Sequence, residues 1–181
     1  MGIRKDELNP LKLGLILFII AGLSGFLLSY VYSITQPVID KNDQIKEQNN
    51  LKILMPELNS FKKEGNYYVV YNDKKEIIGY VFKSAAKGYG GLVACNVGIN
   101  KEGKVTGVIV VSHSETPGLG SKIEEVKDGE TEPYYLAQYK DKSENEINFE
   151  NIEAISGATI SSRAVLNAVK NAFAEFDKIE K

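Results

Sequence analysis

Residues Gly91 to Ser112 read GLVACNVGIN-KEG-KVTGVIVVS, and this stretch sets the fold class. In its first half an apolar residue recurs at every second position, which is typical of a strand with one buried face. The residues at these positions are Val93, Cys95, Val97 and Ile99. The segment KEG, with Gly103 at the turn, separates this run from a second apolar run. The stretch therefore predicts two neighbouring strands that pair antiparallel.

Two more strand candidates precede this pair. The segments NYYVVYN (Asn66 to Asn72) and EIIGYVFKS (Glu76 to Ser84) are rich in β-branched and aromatic residues. The residues NDKK between them suit a hairpin turn. We therefore expect an antiparallel sheet of at least four strands.

The end of the chain predicts a long amphipathic helix. Apolar residues recur there at helical spacing, at Val165, Leu166, Val169, Phe173 and Phe176. Ser161 or Ser162 is the expected N-cap. The loop-rich segment before it, Ser114 to Asn151, predicts a short helix near Gly120 or Glu132. Residues 35–181 thus predict one α+β domain, an antiparallel sheet with flanking helices.

A membrane segment precedes this domain. Residues Leu13 to Ile34 carry no charge, and a helix of their 22 residues would span roughly 33 Å, enough for a bilayer core. The alternative is a cleaved signal peptide, but the stretch exceeds the usual apolar region and no A-x-A site follows it. Gln36-Pro37 is expected to break or bend the helix, and Ile39 to Leu54 predicts a second helix on the surface of the domain.

The basic residues on the two sides of this segment are equal in number, but few lie directly after Ile34. The pattern favours residues 1–12 as a cytoplasmic tail, residues 13–34 as a transmembrane helix and residues 35–181 as an extracytoplasmic domain.

Composition excludes several classes of site. The net charge of −2 and the pI of about 5.6 argue against a nucleic-acid-binding protein. Cys95 is the only cysteine and His113 the only histidine. An intrachain disulfide, a cysteine-based metal cluster and a multi-histidine metal site are therefore excluded.

The segment ISGATISS, Ile155 to Ser162, places four small residues before the predicted helix. A helix N-terminus presents unpaired N–H groups and the positive end of the helix dipole, where phosphate binds readily. The hydroxyl of Thr159 is expected two or three residues before the helix. A tight turn that packs Ala158 against the sheet is the alternative reading of the same residues.

Three segments together resemble a known family. GYGG (Gly88 to Gly91), ETPGLG (Glu115 to Gly120) and SGATISS (Ser156 to Ser162) follow one apolar N-terminal segment in this order. The chain is similar to the FMN-binding G subunit of the Rnf ion-translocating electron transport complex. It also resembles the homologous C subunit of the sodium-translocating NADH:quinone reductase.

The resemblance implies FMN joined through its phosphate to the hydroxyl of Thr159, as a phosphodiester installed by a flavin transferase that uses FAD. Such transferases favour an aspartate where this chain has Glu153. The residues expected to hold the phosphate and ribityl group are Ser156, Gly157, Ala158, Ser161 and Ser162. Those expected against the isoalloxazine are Glu115, Thr116, Leu119 and Gly120, with Leu119 covering one face and with Tyr89 and Gly90 nearby.

The resemblance also implies an electron-relay subunit without catalytic activity of its own, within a plasma-membrane ferredoxin:NAD oxidoreductase that translocates Na⁺ or H⁺. Its partners would be the other membrane subunits and, during maturation, the transferase. The C-type subunit of the quinone reductase and a membrane-anchored binding module without redox activity are the two alternatives.

Overall fold

The computed structural model describes residues 10–179, and the chain forms two compact units. The first comprises Met1–Glu47 and the second Gln48–Lys181. Residues 1–9 of the predicted cytoplasmic tail lie outside the described residues.

The first unit contains most of helix α1, Pro10–Leu54. Its apolar side chains are exposed along the predicted transmembrane segment. Within residues 10–179, it is the one helix long and apolar enough to cross a membrane. The helix continues through Pro37, so the predicted break at Gln36-Pro37 is absent. Proline removes one backbone donor, but the other residues of this 45-residue helix keep theirs.

The second unit is built on a five-stranded antiparallel sheet of order β1-β2-β3-β4-β5. The strands are Ser60–Glu64, Tyr67–Tyr71, Ile77–Lys87, Leu92–Asn100 and Val105–Ser112. The predicted antiparallel α+β class is confirmed. Sequence reasoning missed β1, whose residues SFKKE carry one apolar side chain and thus lack the alternation of a half-buried strand.

Each face of the sheet carries its own core. The larger core contains Val93, Cys95, Val97 and Ile99 of β4, as their alternation predicts, together with the inner face of the C-terminal helix. The smaller core lies on the opposite face, where Tyr68, Val70 and Val81 pack with the end of α1 and with Met55. The C-terminal helix and the last residues of α1 therefore cover opposite faces of the sheet.

Short helices connect the sheet to this last helix. A 3₁₀ turn spans Gly120–Glu124, helix α2 spans Tyr134–Ala137, and a second 3₁₀ turn spans Glu144–Glu146. The first two lie near the predicted positions. Helix α3 spans Thr159–Ile179 and buries its apolar stripe against the sheet.

The start of α3 differs from its prediction. The backbone N–H of Ser162 already donates to the carbonyl of Ala158 at 2.9 Å. Thr159 is therefore the first helical residue, and Ser161 and Ser162 lie inside the first turn instead of capping it. The reason is that both serines are buried and bind other partners, as described below.

Candidate functional site

An open groove of about 590 Å³ lies at the N-terminal end of α3. Three separate segments of the chain line it, and they are the three segments that sequence reasoning singled out. The lining residues are Tyr89, Glu115, Thr116, Leu119, Gly120, Gly157, Ala158, Thr159, Ile160 and Ser161. We call it the main groove.

Thr159 lies at the centre of this arrangement. It is exposed and begins α3. Because the first helical hydrogen bond is donated by Ser162, the N–H groups of Thr159, Ile160 and Ser161 have no partner within the helix. An accessible hydroxyl thus stands beside backbone donors and the positive end of a 21-residue helix.

Glu115 joins the three segments beneath the groove. Its side chain is buried, and the carboxylate accepts hydrogen bonds from the backbone N–H groups of Tyr89 (3.3 Å) and Gly90 (3.0 Å). It also accepts a hydrogen bond from the hydroxyl of Ser161 in the first turn of α3. One carboxylate therefore fixes the GYGG loop, the ETPGLG loop and the start of α3 relative to one another.

The same hydrogen bonds keep Glu115 ionised. Burial alone would raise the pKa of its carboxyl group, but the hydrogen bonds from Ser161, Gly90 and Tyr89 outweigh burial and lower the pKa below its ordinary value. His113 contributes in the same direction. Glu115 is therefore a carboxylate at the base of the groove that already accepts hydrogen bonds from three protein donors.

The glycines around this carboxylate allow protein segments to approach one another. A Cβ on Gly88 would collide with the Glu115 carboxylate, and one on Gly90 would collide with the carbonyl oxygen of Ser114. A Cβ on Gly120 would lie 2.6 Å from the Ser161 hydroxyl oxygen and 2.9 Å from the Cβ of Glu115. The sequence predicted Gly90 and Gly120 near the isoalloxazine, and the structure shows that these two glycines and Gly88 also give the loop that carries Glu115 the space it needs.

The rim of the groove is apolar. The exposed fractions of Tyr89, Leu119 and Ile160 are 73%, 45% and 53%. Exposed apolar side chains around a concave surface are typical of a site for a flat, largely apolar ligand. Gly157 adopts φ +78°, and a Cβ there would lie 3.2 Å from Cδ1 of Leu119, so Leu119 lies close over the SGAT turn.

Comparison with known proteins agrees with this geometry. The FMN-binding domain family matches residues 88–174, which include all three segments. The G subunit of a proton-translocating ferredoxin:NAD(+) oxidoreductase complex from Clostridium ljungdahlii is 33% identical, and the match covers 93% of this chain and 92% of that protein. The chain belongs to this G-subunit family.

A second relative has a similar name. The G subunit of a Na(+)-translocating ferredoxin:NAD(+) oxidoreductase complex from Acetobacterium woodii is 27% identical over 94% of this chain and 93% of that protein. The crystal structure of Shewanella oneidensis NqrC matches with a TM-score of 0.46 and 22% identity, covering 68% of this chain and 66% of that one.

Within this G-subunit domain, three predicted site residues lie apart from the lining of the main groove. Ser162 is fully buried, accepts a hydrogen bond from the N–H of Ile155 at 3.0 Å and donates to the carbonyl of Ala158 at 3.0 Å. Its hydroxyl therefore links Ile155, which precedes the SGAT turn, to Ala158 within it, and stabilises that turn. Ser156 is exposed on that turn, and Gly90 donates its N–H to Glu115.

A second groove of about 250 Å³ shares Thr159 and Ile160 with the main groove. It is lined by Lys87, Thr159, Ile160, Arg163 and Asn167, and we call it the basic groove. Sequence reasoning missed Lys87, Ile160, Arg163 and Asn167 as site residues of the G-subunit domain. Helical spacing could have indicated the last two, because positions four and eight residues after Thr159 share its face of a helix.

The residues of the two grooves fit the flavin nucleotide that the family name specifies. The main groove offers an apolar rim for a ring system, and the start of α3 offers backbone donors for a phosphate. Thr159 lines both grooves and is exposed.

Proposed function

We propose that this chain is the electron-relay subunit of an ion-translocating ferredoxin:NAD oxidoreductase, and that it carries FMN covalently on Thr159. The observation that supports this most strongly is the position of Thr159, exposed at the first residue of α3 and shared by the two grooves. FMN supplies the electron-transfer chemistry when bound, and the protein binds and orients it.

Attachment requires a balanced group transfer. With FAD as donor, the Oγ atom of Thr159 bonds to the phosphorus atom of the FMN half as the bond from that phosphorus to the bridging pyrophosphate oxygen breaks. AMP leaves, and the proton of the threonine hydroxyl is released. A flavin transferase would catalyse this step. The product keeps one negative charge, which the N–H groups at the start of α3 can stabilise.

The remaining predicted residues have distinct roles in this proposal. Leu119 and Ile160 cover the ring, with Tyr89 at the rim, and Thr116 offers a hydroxyl within the main groove. Gly157 and Ala158 let the phosphate approach the backbone. Glu115 and Ser161 fix the floor of the groove, and Ser162 supports the turn that carries Thr159.

The membrane arrangement follows from α1. We propose that residues 13–34 cross the plasma membrane once, with residues 1–12 in the cytoplasm and the flavin domain, residues 35–181, on the extracytoplasmic side. The other membrane subunits of the complex would be its partners, as the names of its relatives suggest. A covalent bond prevents loss of the coenzyme by dilution on that side.

The test of the covalent bond is production of the full chain together with a flavin transferase, followed by denaturing electrophoresis. Wild type should give a flavin-fluorescent band and a mass increase of one FMN residue on the peptide containing Thr159. Thr159→Val keeps the shape without the hydroxyl and should lose both signals, whereas Thr159→Ser should keep them. Thr131→Val, in an exposed loop outside both grooves, is the matched control.

A wild-type chain that stays colourless beside its transferase would contradict the proposal and favour a binding module without redox activity. A flavin that survives Thr159→Val would move the attachment elsewhere. Purification of the native complex, followed by assays of ferredoxin oxidation and of quinone reduction, separates the proposed complex from the NADH:quinone reductase.

A further inference from the structure

The basic groove brings together two cations from distant parts of the chain. Lys87 is the last residue of β3, and Arg163 lies one turn into α3, on the same face as Thr159 and Asn167. The side chains of Lys87, Arg163 and Asn167 are all exposed. The groove thus places two positive charges and one amide beside the Thr159 hydroxyl.

Neither cation is neutralised within residues 10–179. No carboxylate there makes an ion pair with Lys87 or Arg163, although other cationic side chains, Lys62 and Lys178 among them, do pair with carboxylates. The Arg163 guanidinium carbon lies 5.7 Å from the centre of the Phe149 ring, a cation–π contact that holds the side chain without cancelling its charge. The two charges are therefore available for an anion.

We propose that the basic groove holds the phosphate of the nucleotide attached to Thr159, with Lys87 and Arg163 as positioning residues. This inference depends on the proposed function. The ring of the flavin then occupies the main groove, and the phosphate lies beside Thr159, the residue shared by both grooves, with its free oxygens toward Lys87 and Arg163. The guanidinium group can donate two parallel hydrogen bonds to phosphate oxygens, and the ammonium group adds a point charge.

This arrangement explains why Thr159 belongs to both grooves. The phosphorus atom of a phosphodiester keeps two non-bridging oxygens, which can face the basic groove while its ester bond stays at Thr159, the residue shared by both grooves. Before attachment, the same cations would attract the pyrophosphate of FAD to the acceptor hydroxyl. Attachment should therefore depend on Lys87 and Arg163, and the attached phosphate should be immobile.

The experiment uses the full chain in detergent, its flavin transferase and FAD. Lys87→Gln and Arg163→Gln should each slow flavin attachment about fivefold, and the double variant should slow it about tenfold or more. Arg163→Lys keeps the charge but loses the two-pronged donor, and should recover part of the rate. Raising the salt concentration should slow the wild type more than the double variant, because salt screens the attraction.

A second readout does not depend on attachment rate or on activity. In the fully loaded protein, the ³¹P NMR line of the phosphodiester should be broad in wild type, since the phosphate tumbles with the domain. The line should narrow in the double variant, whose phosphate moves independently. Lys170→Gln is the matched control, because it removes one positive charge from an exposed position of α3 outside the basic groove.

The outcomes separate the two proposals. Wild-type rates and a broad line in the double variant, with Thr159 still flavinylated, would overturn the role of the basic groove and leave the proposed function standing. An equal effect of Lys170→Gln would also overturn it, because net charge would then explain the slowing. A wild-type chain without covalent flavin would remove both proposals.

Discussion

The hydroxyl of Ser161 donates a hydrogen bond to the carboxylate of Glu115, which lies 46 positions earlier in the chain. Both side chains are buried, and the same carboxylate receives the N–H groups of Tyr89 and Gly90. Two loops and the start of α3 build the groove, and loops are the more mobile parts of a domain. Glu115 gives this groove a rigid floor.

Removing the charge of Glu115 should loosen the groove. Glu115→Gln keeps the size of the side chain but places an amide NH₂ against donors, so at least one hydrogen bond is lost. We expect the free energy of unfolding to fall by about 2 kcal/mol. The measurement is denaturant-induced unfolding of the detergent-solubilised chain. Glu175→Gln, which breaks only a surface pair with Lys178, should change the free energy of unfolding by less than about 0.5 kcal/mol.

The contribution of Glu115 to the free energy of unfolding should decrease as the pH falls. Its pKa is lower in the folded protein than its ordinary value of 4.5, so the unfolded chain binds the proton more readily. The stabilisation is fully present above the ordinary pKa and is lost as pH falls through the lower folded value.

This pH dependence can be measured as the difference in free energy of unfolding between wild type and Glu115→Gln. The difference should be constant from about pH 6 to 7 and should shrink steadily below about pH 4.5. Glu64 and Glu146 also have lowered pKa values, but they are common to both proteins and their effects cancel. A difference that grows as pH falls would contradict the hydrogen-bonding scheme.

Two neighbouring glycines should respond differently to the same change. In Gly90→Ala the new methyl group collides with the backbone carbonyl of Ser114, which cannot move without shifting the loop. The free energy of unfolding should fall by about 1–3 kcal/mol. In Gly91→Ala the methyl group meets the Cβ of Ser114 at 3.5 Å, an ordinary contact. Thermal melting of both variants is the measurement, and equal losses would refute the tight packing assigned to Gly90.

Two predicted phosphate ligands should also behave differently. Ser162→Ala leaves the buried N–H of Ile155 without its acceptor and should lower the free energy of unfolding by about 1–3 kcal/mol. Ser156→Ala removes an exposed hydroxyl and should leave the free energy of unfolding within about 0.5 kcal/mol of wild type. Unfolding curves give the stability. Flavin attachment, measured by intact mass in the same samples, shows whether Ser156 contacts the phosphate.

Periodicity predicted the sheet and the last helix, because their buried faces repeat along the chain. The alternation of Val93, Cys95, Val97 and Ile99 marks the face of β4 that packs against α3. Strand β1 could not be found in this way, since its residues are mostly polar and it is held by pairing with β2. The sequence also did not predict that α1 continues through Pro37. The rule that proline ends a helix considers only the residues next to it, whereas long helical segments lie on both sides of Pro37.

Most of the residues predicted at the site lie together, and their roles stay predictions. The three glycine-containing segments do meet, and Glu115 and Thr159 line one groove. The pairing of Ser161 with Glu115 could not be read from the sequence, because nothing in either local pattern specifies a partner 46 positions away. The approach of Lys87 to the face of α3 that carries Arg163 likewise depends on how β3 packs against α3.

Because Glu115 binds segments that are far apart in the chain, the groove is complete only when the domain has folded. Until α3 has been synthesised and has packed against the sheet, the groove lacks the hydrogen bond between Ser161 and Glu115. A ligand that needs contacts from all three segments can therefore bind only to the folded domain.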